Sequence, residues 1–348
     1  MKSVVVNGPR KLVVEERPNL TGKKGYILID VIKAGICGSD LHYFEAGEPK
    51  GLVMGHEFSG IVIDNGGSIN FKEGDRVTAL PISPCNECSY CKSKEIQICS
   101  KTWESAIGLS LDNPGAFGGR VLVREDMVMH LPDNVTYESG AMVEPASVAF
   151  RAVNISGFKK GDKVLVIGGG IIGLLTAMFF KLSGASYVAL TETNPQRGKK
   201  AVTYGVANEW FNALDPDVVN KLMSKTTDQK GFDVVADCVG NSPAFSSAIT
   251  YTKPNGNLVM VGISLSSINA PMLSAVLKEI NIKGSIAYKK EEFEMVIKLL
   301  EAKKMNLEKF VDDVVVLEDV QNAFERLTSG QDPAVKILVD PNKTKIVD

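Results

Sequence analysis

The stretch Lys163-Val164-Leu165-Val166-Ile167-Gly168-Gly169-Gly170-Ile171-Ile172-Gly173 decides the fold of the middle of the chain. Its apolar residues predict a buried strand, and the apolar run that continues to Leu182 predicts a helix. Between them, Gly168 allows a tight turn, Gly170 lets a pyrophosphate approach the backbone, and Gly173 lets helix and strand pack closely. The pattern indicates a dinucleotide-binding turn, with a glycine turn that binds nothing as the alternative.

Glu192 lies nineteen residues beyond Gly173, at the end of the next predicted strand. A carboxylate there accepts hydrogen bonds from ribose hydroxyls and repels a 2′-phosphate, so we expect NAD to be preferred over NADP. Arg197 follows in the next predicted helix, and the sequence alone leaves its contact with the ribose open. The predicted cofactor-binding residues are Gly168, Gly170, Ile171, Ile172, Gly173, Glu192, Arg197, Val239 and Val261.

Residues 155–285 alternate apolar strands with helical patterns, which predicts right-handed crossovers and a doubly wound parallel sheet. The predicted strands are Lys163–Ile167, Tyr187–Leu190, Val234–Asp237, Asn257–Val261 and Ile280–Gly284. The apolar run from Val164 to Phe180 is short for a membrane-spanning helix and contains four glycines, so we expect no membrane span.

The flanking parts of the chain differ in pattern. Residues 1–150 carry short β-branched runs, such as Tyr26–Ile32 and Arg120–Val123, which predict a β-rich barrel or sandwich. After Phe293 the sequence predicts two helices, one through Leu300 and one at Val320–Leu327, and a closing strand at Val335–Val339.

Length and composition set the outer limits. A chain of 348 residues is long for one core and predicts two domains. The net charge of −2, with no basic stripe, argues against nucleic acid as a partner. The first residues do not resemble a signal peptide, so a cytoplasmic location is expected.

Four of the six cysteines lie close together as C-x2-C-x2-C-x7-C: Cys85, Cys88, Cys91 and Cys99. Four thiolates at this spacing can close a tetrahedron around Zn²⁺ with no position left for substrate, which predicts a structural zinc site in a lobe at residues 84–100. An iron–sulfur cluster is the alternative.

The first part of the chain also holds a set of candidate catalytic ligands. Cys37 offers a thiolate, His42 and His56 offer imidazoles, and Glu57 and Glu144 offer carboxylates. A Cys, a His and a Glu can form a zinc shell with one position open, although each residue alone also has an ordinary structural explanation. In a chain with a dinucleotide turn, their joint presence favours a catalytic site.

These motifs together resemble the zinc-dependent medium-chain dehydrogenase/reductase superfamily, near its polyol, butanediol and threonine dehydrogenases. The resemblance runs nearly end to end. It is carried by AGICGSDLH (34–42), GHEFSG (55–60), GDRV (74–77), the four-cysteine lobe, VEP (143–145), the glycine turn and DVVADCVG (233–240).

The resemblance implies an α/β fold in which a GroES-like catalytic domain, built from residues 1–152 and 286–348, encloses a Rossmann domain at 153–285, with the substrate cleft between them. A small-molecule alcohol or ketone substrate, and a homodimer or homotetramer, are implied as well.

The resemblance also implies the chemistry of the site. It places the catalytic zinc on Cys37 and His56, with Glu144 or Glu57 completing the shell, and so two zinc ions per chain. The metal acts as a Lewis acid on the substrate hydroxyl, and a hydride passes from the alcohol carbon to NAD. Ser39 and His42 match a proton relay to solvent, so the implied catalytic residues are Ser39, His42 and Glu57.

Two departures leave alternatives open. Thr191 stands where many relatives have Asp, and the loop Gly115–Gly119 resembles the usual substrate-side loop only loosely. Substrate choice is therefore left open. A zinc-independent NADPH quinone or enoyl reductase, or a non-catalytic scaffold, is kept as the alternative function, although such reductases generally lack the cysteine lobe and the Cys-His pair.

Overall fold

The structure, a computed structural model, describes residues 1–343, so the end of the predicted 286–348 segment lies outside the described residues. The chain forms two compact units: Met1–Pro145 together with the chain from Lys289 onward, and Ala146–Tyr288. The sequence predicts the boundaries at 152–153 and 285–286. In the structure a single helix, Val143–Ile155, crosses the first boundary. The sequence there is helical and has no linker-like composition that would mark the boundary.

Residues 1–343 contain fifteen strands and eleven α-helices. The strands are β1 (Lys2–Val6), β2 (Leu12–Glu16), β3 (Tyr26–Gly35), β4 (Glu57–Asp64), β5 (Arg76–Ala79), β6 (Arg120–Arg124), β7 (Val128–His130), β8 (Lys163–Ile167), β9 (Tyr187–Glu192), β10 (Glu209–Asn212), β11 (Phe232–Asp237), β12 (Thr252–Met260), β13 (Asn281–Gly284), β14 (Asp313–Val316) and β15 (Ile337–Asp340). The helices are α1 (Gly38–Ala46), α2 (Ser89–Lys92), α3 (Tyr137–Ala141), α4 (Val143–Ile155), α5 (Ile171–Leu182), α6 (Pro195–Thr203), α7 (Val218–Met223), α8 (Ser242–Tyr251), α9 (Met272–Leu277), α10 (Lys290–Glu301) and α11 (Val320–Thr328). Short 3-10 turns lie at Ile96–Ile98, Ala116–Gly118, Glu125–Met127, Thr227–Gln229, Glu308–Phe310 and Leu317–Asp319.

The first unit is built on a seven-stranded sheet in which β14, β15, β3, β4, β5 and β7 follow one another and β6 pairs with β3. Strand β15 pairs antiparallel with β3, placing Leu338 opposite Gly35. Strands β14 and β15, from the second part of this unit, thus complete the sheet that β3 to β7 form.

The second unit is a six-stranded parallel sheet in the order β10-β9-β8-β11-β12-β13. The order reverses at β8, which lies between β9 and β11. Leu165, Val235 and Leu258 from neighbouring strands pack with Ala248 and Ile249 of α8 in its core. The predicted doubly wound Rossmann sheet is therefore confirmed. In such sheets ligands bind at the carboxyl ends of the strands, where the order reverses.

The glycine turn after β8 has the local geometry that its sequence predicts. Gly168 has φ of +100°, a conformation that residues with a side chain rarely adopt. A Cβ added at Gly173 would lie 1.9 Å from the carbonyl oxygen of Gly168, so only glycine allows α5 to start this close to β8. At Gly170 an added Cβ would meet nothing within 4 Å, so the backbone at the start of α5 is open to a ligand.

No helix within residues 1–343 is long and apolar enough to cross a membrane.

Candidate functional site

Strand pairing brings the candidate catalytic ligands together. Strand β4 begins at Glu57, which lies opposite Gly35 at the end of β3. Cys37 follows β3 and His56 precedes β4. As a result the Sγ of Cys37, a ring nitrogen of His56 and a carboxylate oxygen of Glu57 lie within 4.8 Å of one another.

Asp40, which the sequence analysis missed, connects two of these ligands. It has no solvent exposure, and its Oδ2 accepts a hydrogen bond of 2.9 Å from the N–H of Cys37. Its Oδ1 lies 3.4 Å from Nδ1 of His56, which leaves Nε2 of that ring for another partner. A carboxylate in this position orients a ligating histidine and raises its basicity.

The electrostatics of His56 reflect the same contact. Burial alone would lower the pKa of His56, but the negative charge of Asp40, followed by that of Cys37, raises the pKa well above its usual value. The protein thus surrounds this ring with negative charge, an environment suited to a bound cation.

Glu57 is also fully buried, and its two oxygens have different surroundings. Oε2 pairs with the ammonium group of Lys336, a second residue that the sequence analysis missed. Oε1 has no hydrogen-bond partner. A Cβ added at Gly35 would lie 1.9 Å from Oε2, so glycine at that position makes room for the carboxylate.

The cluster fits a zinc ion. Zn²⁺ accepts thiolate, imidazole and carboxylate ligands, and all three types converge here. Oε1 of Glu57 is buried without a hydrogen-bond partner, and burying such an atom is costly unless something compensates. A cation bound by Cys37, His56 and Glu57 supplies that compensation.

Glu144, the other carboxylate expected near the metal, lies in the first turn of α4. Its side chain is buried, but it is not part of the cluster of Cys37, His56 and Glu57.

The predicted relay residues share one helix. Cys37 is the N-cap of α1, Ser39 is half-buried in its first turn, and His42 is exposed three residues later. Residues three apart are neighbours on a helix surface. Ser39 and His42 therefore lie at neighbouring surface positions of the helix that begins at the candidate ligand Cys37.

The Gly115–Gly119 loop packs into the protein core through the side chain of Phe117. Phe117 is fully buried, and its ring is so close to Gly55 that a Cβ there would lie 2.9 Å from Cδ1. Phe117 thus supports the backbone just before His56.

The four lobe cysteines also converge. The Sγ atom of Cys85 lies 3.8 Å from that of Cys91 and 3.6 Å from that of Cys99. Four sulfurs at about 2.3 Å from a tetrahedral zinc lie about 3.8 Å apart, whereas a disulfide requires about 2.05 Å. The lobe therefore has the geometry of a closed Zn(Cys)₄ site, and the thiols are free.

Backbone N–H groups donate to the sulfurs of this lobe. The N–H of Cys88 donates to Cys85, that of Cys91 to Cys88, and that of Cys85 to Cys99. Loss of solvation opposes ionisation of Cys99, but hydrogen bonds from the backbone N–H groups of Cys85 and Lys101 lower its pKa to about 6. Such donors stabilise the thiolate form that binds metal.

In the second unit, Glu192 lies against the glycine turn. Its Oε2 accepts a hydrogen bond of 2.6 Å from the N–H of Gly169, and its Oε1 accepts from the N–H groups of Thr193 and Asn194. Strand pairing places Thr191 opposite Ile167, so Glu192 is at the carboxyl edge of the sheet beside the turn.

Two more predicted cofactor residues lie at the same edge. The methyl Cγ2 of Val239 would be 2.7 Å from a Cβ added at Gly168, so Val239 touches the turn. Val261 is buried, and its N–H donates to the carbonyl of Asp237. Arg197 is half-buried in α6.

Comparison with known proteins gives the same assignment for both units. The family profile "Alcohol dehydrogenase GroES-like domain" matches residues 23–133, and "Zinc-binding dehydrogenase" matches residues 172–334. A sorbitol dehydrogenase of Halalkalibacterium halodurans is 34% identical, covering 98% of this chain and 99% of its own. A D-xylulose reductase A of Aspergillus niger is 31% identical over 97% and 96%. The crystal structure of 2R,3R-butanediol dehydrogenase from Bacillus subtilis superposes with a TM-score of 0.87 at 31% identity, over 98% and 99% of the two chains.

Proposed function

Because the chain belongs to the zinc-dependent medium-chain dehydrogenase/reductase superfamily, we propose that it transfers a hydride between a secondary hydroxyl of a polyol or vicinal diol and NAD. In oxidation, the alcohol carbon gives a hydride to the nicotinamide ring and the hydroxyl proton leaves to solvent, so that a ketone and NADH are formed. The observation that carries the proposal is the convergence of Cys37, His56 and Glu57 in a chain that also has the glycine turn.

The substrate class is supported by the compounds in the names of the relatives. Sorbitol, D-xylulose and 2R,3R-butanediol all carry oxygen functions on adjacent carbons. A panel of sugar alcohols, sugar-alcohol phosphates, 2,3-butanediol and threonine, tested with NAD⁺ and NADP⁺ by absorbance of the reduced cofactor, identifies the substrate. We expect polyols or vicinal diols with NAD⁺ to give the highest kcat/KM. Absence of turnover with all of these compounds, in protein that holds both metals, would contradict the proposal.

We expect Cys37, His56 and Glu57 to hold the catalytic zinc, with Glu144 as the alternative carboxylate. When bound, the ion supplies Lewis-acid polarisation of the substrate hydroxyl. Asp40 holds the ring of His56 in the required orientation. Ser39 accepts the proton that leaves the substrate, and His42 passes it to solvent.

Metal analysis separates the proposal from its alternatives. Two zinc ions per chain, one lost in Cys37→Ala and one in Cys91→Ser, support the dehydrogenase. One zinc in the lobe only supports a non-catalytic scaffold, and none supports a zinc-independent reductase.

The preference for NAD rests on Glu192. Its carboxylate is fixed by backbone N–H donors beside the glycine turn, where it repels a 2′-phosphate and accepts hydrogen bonds from ribose hydroxyls. We therefore propose that NAD is the physiological cofactor.

A homodimer is the assembly that the second unit favours. Strand β13 is the last strand of its sheet, and all four of its residues are exposed. Leu265, Leu273 and Leu277, in the segment that connects β12 to β13, are 82%, 71% and 77% exposed. An open strand edge flanked by apolar side chains is costly in water, and pairing with a second copy about a twofold axis covers both features.

Light scattering tests this assembly. Leu273→Lys with Leu277→Lys should convert the dimer to a monomer, whereas Leu214→Lys, which changes a leucine that is 72% exposed beyond the opposite edge strand, should not. A dimer that persists in the double variant would exclude this surface.

All six cysteines are free, which favours a reducing compartment, and we propose the cytoplasm.

A further inference from the structure

Lys336 is the only lysine or arginine among residues 1–343 whose side chain is fully buried. It immediately precedes β15, and its ammonium group makes two contacts. It pairs with Oε2 of Glu57, and it donates a hydrogen bond of 3.0 Å to the carbonyl oxygen of Ile36.

Both contacts adjoin the ligand cluster. Ile36 precedes Cys37, and Glu57 follows His56, so one ammonium group connects the two chain segments that carry the ligands. Lys336 is therefore part of the support of the cluster, although it is about 280 residues away from Glu57 in sequence.

We propose that Lys336 is a positioning residue that limits Glu57 to one oxygen in the metal shell. This inference rests on the proposed function and deepens it. The ammonium group occupies Oε2, and Oε1 is the oxygen without a hydrogen-bond partner. Lys336 and the cation thus share the carboxylate, which keeps Glu57 a single-oxygen ligand and leaves a position open for the substrate hydroxyl.

Two substitutions of Lys336 have opposite expected effects. Lys336→Met releases Oε2, so both oxygens of Glu57 can bind the cation, and the zinc dissociation constant should fall at least tenfold while kcat falls at least tenfold. Lys336→Arg presents a planar fork that pairs with both carboxylate oxygens, so zinc should bind at least tenfold more weakly. A residue that only supports the fold would weaken zinc binding in both variants.

The experiment measures zinc affinity by competition with a coloured chelator. The zinc bound by the wild type but not by Cys37→Ala is assigned to the catalytic site. The matched control is Lys33→Met, because Lys33 is in β3 and forms its ion pairs with Asp340 at 2.8 Å and with Glu138 at 3.6 Å. Its zinc affinity and kcat should match the wild type. The single variant Glu57→Gln and the double variant that combines Glu57→Gln with Lys336→Met should have equal zinc affinity, because no carboxylate remains to be released.

Unchanged zinc affinity in Lys336→Met, or weakened affinity in both Lys336 variants, overturns the inference. If Lys336→Met does not fold, an affinity of Lys336→Arg equal to or tighter than that of the wild type overturns it. A wild-type protein that binds no zinc at Cys37 overturns both this inference and the proposed function, whereas the preceding outcomes overturn the inference alone.

Discussion

Oδ1 of Asp40 lies 3.4 Å from Nδ1 of His56, and both side chains are buried. The carboxylate determines which ring nitrogen faces the ligand cluster, because Nδ1 is directed at Asp40. Through Oδ2 the same residue also holds the backbone of Cys37. One side chain therefore aligns two of the three converging ligands.

Asp40→Asn tests this alignment. The amide keeps an acceptor for the N–H of Cys37 but loses the negative charge that faces His56. Substitution of such a supporting partner costs about 10- to 100-fold in metal affinity or activity. We expect zinc affinity or kcat/KM to fall within that range with the melting temperature nearly unchanged. Wild-type values for both quantities would show that Asp40 does not support the site.

Cys91→Ser tests the lobe. Loss of one thiolate should release one zinc and lower thermal stability, because a structural metal contributes its binding free energy to folding. Tyr90→Ser, in the same short helix α2, is the control and should keep both zinc ions, since Tyr90 is exposed and is no ligand. Loss of turnover with unchanged metal content, stability and oligomeric state would contradict a structural role.

Glu192→Gln tests cofactor choice. It removes the charge and keeps an acceptor for the N–H of Gly169. Removing a repulsion worth more than about 1.4 kcal/mol changes relative affinity about tenfold. The ratio of kcat/KM for NADP to that for NAD should therefore rise at least tenfold.

The control for cofactor choice is Glu209→Gln. Glu209 begins β10, pairs with Lys225 and lies away from the glycine turn, so its substitution should leave the ratio unchanged. Equal use of NAD and NADP by the wild type would show that Glu192 does not govern the choice.

His42→Ala tests the proton relay. Alcohol oxidation should slow most at neutral and lower pH, where hydroxide is scarce, by up to about 10² to 10⁴-fold, and imidazole buffers should partly restore the rate. Glu45→Ala, three residues further along α1 and also exposed, should behave as the wild type. An unchanged pH profile in His42→Ala would leave His42 without a role in proton transfer.

Much of the second unit is predictable from local pattern. Strand β8 covers the predicted residues Lys163–Ile167. The glycine turn after it is predictable because Gly168 has a positive φ and Gly173 leaves no room for a side chain. Strand β10, by contrast, was missed. Its residues, Glu209 to Asn212, are half-buried and show no apolar alternation, and the strand exists because it pairs with β9.

The candidate site shows the same division. Cys37 and His56 stand in dense local motifs, so their convergence is expected from sequence. Asp40 has a local signal as well, an acidic residue three positions after Cys37 at a helix start. Lys336 has only a weak one, a single charge inside the apolar run 334–339, and its partner is visible only once β15 is paired with β3.

The most direct test of the account is NADH formation by purified protein with a polyol or vicinal diol, before and after selective removal of the zinc at Cys37 and after zinc is restored. The account predicts turnover in the metal-loaded protein, near-complete loss on removal, and recovery on restoration, with NAD⁺ preferred at least tenfold over NADP⁺. Turnover that is unaffected by loss of this zinc would contradict it.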